Sequence, residues 1–235
     1  MSKEKTISII IPTYNESDNV GDILKSTIEV LKNINVDYEI LIVDDASVDN
    51  TAEIAEKILG DSGRVIRRVS EKKSLSLSVL DGIKQARGSA IVVMDADGSH
   101  PPELIPSFIH YLEEGYDLII GSRYVKGGGT KGFPLKRKFI SGFACFLGRV
   151  VTKVKDNTSG FFCIKKAALE GINLTPHGFK IGLEIFVKAN FTSFKEIPYI
   201  FVDRIKGESK LKSRVVAQYL CQILNLLTYR IFRDR

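Results

Sequence analysis

The stretch IVVMDADGSHPPE, Ile91 to Glu103, sets the frame for the rest of the chain. Ile91, Val92, Val93 and Met94 form a short, mostly β-branched apolar run that reads as a strand buried on both faces. The run stops at Asp95-Ala96-Asp97. In an extended chain residues i and i+2 point the same way, so both carboxylates leave one side of the backbone. Gly98 and Pro101-Pro102 break the strand, and Glu103 opens a helical pattern. Two carboxylates on one side repel each other unless a cation lies between them. Hard divalent ions such as Mg²⁺ take oxygen ligands of this kind and bridge carboxylates to phosphates. Read alone, the same residues are a solvated turn with an aspartate cap.

Outward from this stretch, strand and helix patterns alternate. Strands are expected at Thr6–Ile11, Tyr38–Val43, Arg64–Val69 and Asp117–Gly121, and helices at Asp18–Leu31, Asp49–Leu59, Leu75–Ala86 and Leu104–Leu112. This alternation calls for an α/β fold, a Rossmann-like and mostly parallel sheet with helices on both faces. Glu16, Asp44, Asp45, Asp95 and Asp97 fall at the ends of the first, second and fourth strands. Parallel strands bring those ends to one edge, where open α/β sheets bind ligands. No G-x-G-x-x-G follows the first strand and no G-x-x-x-x-G-K-[ST] occurs, so a dinucleotide oxidoreductase and a P-loop NTPase lose their main support. A diphosphate bound here would be held by a metal rather than by a glycine loop. That favours a nucleotide whose diphosphate is the leaving group.

After Arg123 the character changes. Gly127-Gly128-Gly129 and Gly132 make a basic loop, and a helix is expected over Leu135–Val154. Leu135, Phe139, Phe143, Phe146, Leu147, Val150, Val151 and Val154 share one broad face of it, with Lys136, Arg137, Lys138, Arg149 and Lys153 elsewhere. A turn and strand at Asn157–Ile164, a helix at Gly182–Ala189, a strand at Lys195–Val202 and a second broadly apolar helix at Val215–Phe232 follow. Residues 126–155 carry eight Lys/Arg and no acid, and residues 204–235 carry a net +6. Against a total of +6, the rest of the chain is left with −8. An acidic body with two basic segments points to an anionic surface or substrate on one side. Two apolar helices with basic flanks favour interfacial membrane contact over two core helices with solvated basic faces. No stretch approaches the roughly 20 apolar residues of a membrane span. The charged start runs straight into a strand pattern and reads as no secretory leader. Cys145, Cys163 and Cys221 suggest neither a disulfide framework nor a zinc site, and fit a reducing compartment.

IPTYNE (11–16), VDDASVDNT (43–51), MDADGSHPPE (94–103), GSRYV (121–125), SGF (159–161) and RIKGESKL (204–211) stand in order along the chain. With these motifs it resembles the family-2 glycosyltransferases of the GT-A fold, and within them the dolichyl- or polyprenyl-phosphate mannosyltransferases. The resemblance covers about residues 6–212, which is then the glycosyltransferase domain, with 213–235 a C-terminal amphipathic helix for membrane contact. It implies a nucleotide-sugar donor, with Pro12, Tyr14 and Glu16 lining the nucleotide pocket and Val43, Asp44 and Asp45 meeting base and ribose. Asp95 and Asp97, with Ala96 between them, would hold Mg²⁺ or Mn²⁺ against the diphosphate. Ser99 would be a further ligand, directly or through water, where relatives often carry Gln. Arg204 and Lys210 would meet the donor diphosphate, and Arg123, Arg137, Ser209 and Lys210 the acceptor phosphate. Ser74–Ser78 and Phe162 depart from the family pattern, which usually has a glycine-rich turn and an Arg there.

The implied reaction is an inverting transfer of mannose from GDP-mannose to dolichyl or polyprenyl phosphate. Asp97, Arg123, Arg137 and Arg204 are the expected catalytic groups. A phosphate is ionised near neutral pH, with a second pKa of about 6, and needs no general base. His100 then reads as a residue supporting the metal motif or the helix start. A hydroxyl acceptor would need a base, and Glu184 is the obvious candidate. The expected partners are the donor, the lipid phosphate and a membrane surface, either as a peripheral protein on the cytoplasmic face or with a separate membrane subunit. Nucleic acid is not expected, since the acidic rim repels it. The alternatives are a UDP-glucose or other UDP-sugar transferase, a polysaccharide-building enzyme of the same family, and a non-catalytic anionic-lipid-binding module.

Overall fold

The structure is a computed structural model that describes residues 6–69, 73–175, 180–203 and 213–233, with the backbone alone at 213–216 and 233. Seven strands form one sheet in the order β3-β2-β1-β4-β7-β5-β8. These are β1 (Thr6–Thr13), β2 (Asp37–Asp44), β3 (Gly63–Arg67), β4 (Ala90–Val93), β5 (Leu118–Ser122), β7 (Phe162–Lys165) and β8 (Phe194–Pro198). All pairings are parallel except those of β7, which runs antiparallel between β4 and β5. The short strands β6 (Gly129–Lys131) and β9 (Ile200–Val202) pair separately.

Side-chain alternation along the buried strands feeds two cores. Ile9, Ile11, Ile40, Ile42 and Val92 pack beneath α1 (Val20–Lys32), α2 (Thr51–Leu59) and α4 (Ile105–Glu113). Ile10, Leu41, Val43, Ile91 and Val93 pack on the opposite face, beneath α3 (Leu75–Gln85) and α6 (Ile181–Lys188). The continuous apolar runs of β1, β2 and β4 follow from burial on both faces.

Two expected elements change shape. The helix expected over Leu135–Val154 ends as α5 (Leu135–Gly148). The Asn157 carboxamide Nδ2 takes the Cys145 carbonyl at 2.7 Å, and Arg149 N–H bonds Phe146 instead at 3.2 Å. A side chain at residue 148 would collide with that carboxamide, so Gly148 is where Asn157 fits. The strand expected over Lys195–Val202 divides at Tyr199, whose N–H bonds Ser122 O at 3.2 Å while its carbonyl accepts from Gly129 at 3.1 Å. Tyr199 thereby joins the main sheet to the small one.

The stripe expected on α5 is shared out by that break. Val151 and Val154 are buried, Leu147 is partly buried, and Leu135 (84% exposed), Phe139 (77%), Phe143, Phe146 and Val150 face outward. The last helix, α7 (Ser213–Arg233), lays Ile223 and Leu226 against Val151 and Leu183, and leaves Leu224 and Phe232 exposed. No helix among the described residues is long and apolar enough to cross a membrane.

Candidate active site

The parallel strands β1, β2 and β4 end together, and the loops after them build the rim. Thr13 Oγ1 donates to Asp44 Oδ1 at 3.0 Å across the β1–β2 pair. Ser47 closes the loop from the other side, donating from N to Asp44 Oδ2 at 2.9 Å and from Oγ to Oδ1 at 2.6 Å. Asp45 turns the other way. It is buried in an ion pair with Arg68, which also donates from Nε to Asp81 at 2.8 Å, and it receives the Ser74 N–H at 2.6 Å. Asn15, in the left-handed region (φ 55°), ties the β1 loop to the β2 loop by accepting from Val48 N–H at 3.1 Å. Glu16 N–H donates to Thr51 Oγ1 at 2.9 Å, and its carboxylate accepts from Asn19 Nδ2 at 2.8 Å. Tyr14 lies at the mouth, its ring 4.0 Å from the Lys73 ammonium and its hydroxyl 2.9 Å away. Pro12 and Val43 pair in register and are buried beneath this loop cluster. The expected nucleotide-pocket residues therefore lie together, with Tyr14 the most open of them and Val43 in the core.

Asp95 and Asp97 lie on the same rim, one strand over, and both are partly exposed while Ala96 between them is buried. The loop is closed by short bonds. Ser99 donates to Asp97 Oδ1 from N at 3.1 Å and from Oγ at 2.5 Å. Gly98 takes φ +75°, a conformation costly for any residue with a Cβ, which lets the chain turn back on itself. Ser99, expected as a further metal ligand, is itself buried and spends its hydroxyl on Asp97. His100 Nδ1 accepts the Asp95 N–H at 2.9 Å. Burial pushes the His100 pKa below its ordinary value, opposed by the charges of Asp95 and Asp97.

Parallel to β4, β5 ends at the same edge with Arg123 just beyond it. Arg123 donates from Nε to Asp156 Oδ2 at 2.8 Å and from Nη2 to Asp156 Oδ1 at 2.6 Å and Thr158 Oγ1 at 2.8 Å. Burial alone would lower its pKa, but the bonds and charge of the wholly buried Asp156 hold it above its usual range. Arg123 thus pins the 156–160 turn, whose Gly160 lies against the Asp95 carboxylate: a Cβ there would sit 3.6 Å from Oδ2. Arg137, in the first turn of α5, pairs with Asp203 at 2.6 Å and covers the Phe133 ring at 4.0 Å. Arg204, Ser209 and Lys210 lie outside the described residues.

Two groups at this end of the sheet escaped the sequence reading. Lys180, half-buried, donates to Thr158 O at 3.1 Å, and burial with the neighbouring Arg123 lowers its pKa. Asp156 is the other. It follows directly on residues 118–155, a run without an acid, and that position is the one local hint that it answers a buried cation. Glu184, the candidate base for a hydroxyl acceptor, is 3% exposed on α6. It accepts from Lys188 Nζ at 2.6 Å and Thr175 N–H at 2.8 Å, so it fastens the 173–175 segment to the helix.

A mostly parallel sheet with paired carboxylates at its strand ends, without glycine-rich phosphate loops, defines a glycosyltransferase of the GT-A type. A profile of glycosyl transferase family 2 matches residues 8–172, and the chain belongs to that family. It is 43% identical over 234 residues to the dolichol-phosphate mannosyltransferase of Pyrococcus furiosus, covering 97% of this chain and 66% of that one. The protein of the same name from Saccharomyces cerevisiae is 34% identical over 238 residues, with 95% and 87% covered. Glucosyl-3-phosphoglycerate synthase from Mycobacterium tuberculosis, solved with Mn²⁺ and UDP-glucose, superposes with a TM-score of 0.68 at 19% identity, covering 95% of this chain and 78% of that one. That likeness bears on the fold alone.

Proposed function

We propose that the protein transfers mannose from GDP-mannose to dolichyl or another polyprenyl phosphate. Glu184 carries the choice of a phosphate acceptor. A base must be open to the hydroxyl it deprotonates, and this carboxylate is buried and occupied by Lys188 and Thr175. His100 is no better placed, since its Nδ1 already accepts the Asp95 N–H and its ring is buried. An ionised phosphate oxygen attacks the anomeric carbon without such help, and the nucleoside diphosphate leaves from the opposite face with inversion. The mannose and dolichol assignments rest on the two curated relatives.

Asp95 and Asp97 suit Mg²⁺ or Mn²⁺. They offer hard oxygen donors, and no group of three or more His, Cys, Asp or Glu among the described residues forms a protein-only site. Substrate phosphate and water would fill the other coordination positions. When bound, the ion neutralises charge that develops on the departing diphosphate. The chain's own contribution is positional. Ser99 and His100 hold the carboxylate loop, Asn15 and Ser47 order the nucleotide loops, and Arg123 fixes the turn beside Asp95. Arg204, Ser209 and Lys210 would complete the cationic lining. The outward face of α5 and α7, with Lys136, Lys138 and Arg149 beside it, suits peripheral binding to the cytoplasmic face of a membrane, alone or beside a membrane subunit.

The test is incorporation of radiolabelled sugar from GDP-mannose, UDP-glucose and UDP-N-acetylglucosamine into organic-extractable lipid, with polyprenyl phosphate and Mg²⁺. EDTA-sensitive incorporation from GDP-mannose alone is expected. Transfer from a UDP-sugar instead would overturn the donor assignment, and metal-independent transfer would overturn the role of the carboxylate pair.

A further inference from the structure

Asp95 is where β4 leaves the sheet. The preceding residue, Met94, still donates its N–H to Ile10 O at 3.1 Å, as a strand residue would. The next N–H, that of Asp95, meets no strand and goes to His100 Nδ1 at 2.9 Å. Nδ1 must be unprotonated to accept it, so the ring is the neutral tautomer with its proton on Nε2. The ring is fixed from its other sides. It stacks on Phe161 at 4.9 Å with an 11° tilt and meets the edges of Tyr199 and Phe201 at 6.0 Å. It is 2% exposed and has no room to swing toward a substrate. Gly160 completes the enclosure, since a Cβ there would lie 3.4 Å from His100 Cε1. The imidazole therefore joins the carboxylate loop to the wall formed by the 160–161 turn and the β8–β9 segment.

We propose that His100 is a positioning residue for the carboxylate pair. Its Nδ1 fixes the Asp95 backbone, and with it the direction in which the Asp95 carboxylate faces metal and donor diphosphate. The inference rests on the reading of Asp95 and Asp97 as the metal site. Without an acceptor, the Asp95 N–H would face an apolar ring in this part-buried position, and a donor left unmet there rebuilds its surroundings to find a partner. The rearrangement would turn the first carboxylate away from the second. Supporting residues of this kind typically change metal affinity by about 10–100-fold when lost.

Two variants separate the hydrogen bond from the packing. His100→Phe keeps a stacking ring and removes the acceptor. His100→Asn removes the ring and places an amide oxygen where Nδ1 stands. Binding of Mn²⁺ in the presence of GDP would be followed on the full chain by the electron paramagnetic resonance signal of free Mn²⁺, with no turnover involved. The expected result is at least tenfold weaker binding for His100→Phe and binding within about threefold of wild type for His100→Asn. A residue that only packs gives the reverse order. Unchanged binding in His100→Phe, or a tenfold loss in a folded His100→Asn, would overturn the inference. If His100→Phe fails to fold by circular dichroism, His100→Asn decides on the same thresholds. Wild-type protein that takes up no Mn²⁺ with GDP would overturn the metal reading itself, and the inference with it.

Discussion

Replacing Arg123 by leucine tests whether this arginine holds the site together from below. Its side chain is 9% exposed and that of Asp156 is 0% exposed, so the pair is out of water. Leucine would remove the donors at 2.8 Å and 2.6 Å to the carboxylate, and the one at 2.8 Å to Thr158. The Arg123 backbone N–H, at 2.9 Å from Oδ2, would remain as a neutral donor to Asp156. Three hydrogen bonds involving a charge, at about 1.5–3 kcal/mol each, would sum above 4 kcal/mol if they were independent. They share one guanidinium and are not independent. The observed cost of stranding one member of a buried pair, about 3–5 kcal/mol, is the better guide. For a chain of this size that lowers Tm by roughly 6–20 °C. Urea unfolding followed by circular dichroism at neutral pH measures it. The double variant Arg123→Leu/Asp156→Asn should recover at least half of the loss, because the uncompensated charge is then gone. A change below about 1 kcal/mol in the single variant would refute the reasoning, and would return Arg123 to the role of an open phosphate clamp.

Asp97→Ala should lower transfer by at least about 100-fold while changing stability by no more than about 1 kcal/mol, because the carboxylate is a partly exposed rim group; urea titration beside the transfer assay checks both. Glu184→Gln leaves Lys188 buried without its counter-charge and should cost about 2–4 kcal/mol in the same titration. The folded fraction should transfer within about threefold of wild type, whereas loss of a true general base would cost about 10²–10⁴-fold. Phe139→Glu/Phe146→Glu places two charges on the outward face of α5, and co-sedimentation with anionic liposomes should fall at least tenfold. Deleting α7 is a poorer test of that surface, since Ile223 and Leu226 also pack against Leu183 and Val151.

The sheet and its rim were legible because their signals are local. Ile91–Met94 and Ile40–Val43 are apolar without a break, and each ends in aspartate, so burial and site direction come from the same few residues. The antiparallel sense of β7 was not legible, since Phe162, Cys163 and Ile164 present the same apolar pattern in either direction. The end of α5 depends on Asn157, nine residues beyond Gly148, reaching back to the Cys145 carbonyl. Arg123 and Asp156 are 33 residues apart, and no periodicity encodes their meeting. From sequence Arg123 reads as a catalytic and acceptor-phosphate cation, and its burial against Asp156 is what that reading could not contain. Glu184 and Lys188 stand four residues apart, and the pairing is readable as helix spacing. The burial of Glu184 is not readable in that way, because it comes from the packing of α6 on the sheet.

In the proposed reaction the acceptor is a phosphate, and no protein base activates it. The most direct measurement offers wild-type enzyme polyprenyl phosphate and the matching polyprenol in parallel, with labelled GDP-mannose and Mg²⁺. Labelled lipid should form with the phosphate and stay at background with the alcohol. Comparable labelling of the alcohol would contradict the account, because it would require a proton acceptor that Glu184 and His100, as they stand in this fold, do not provide.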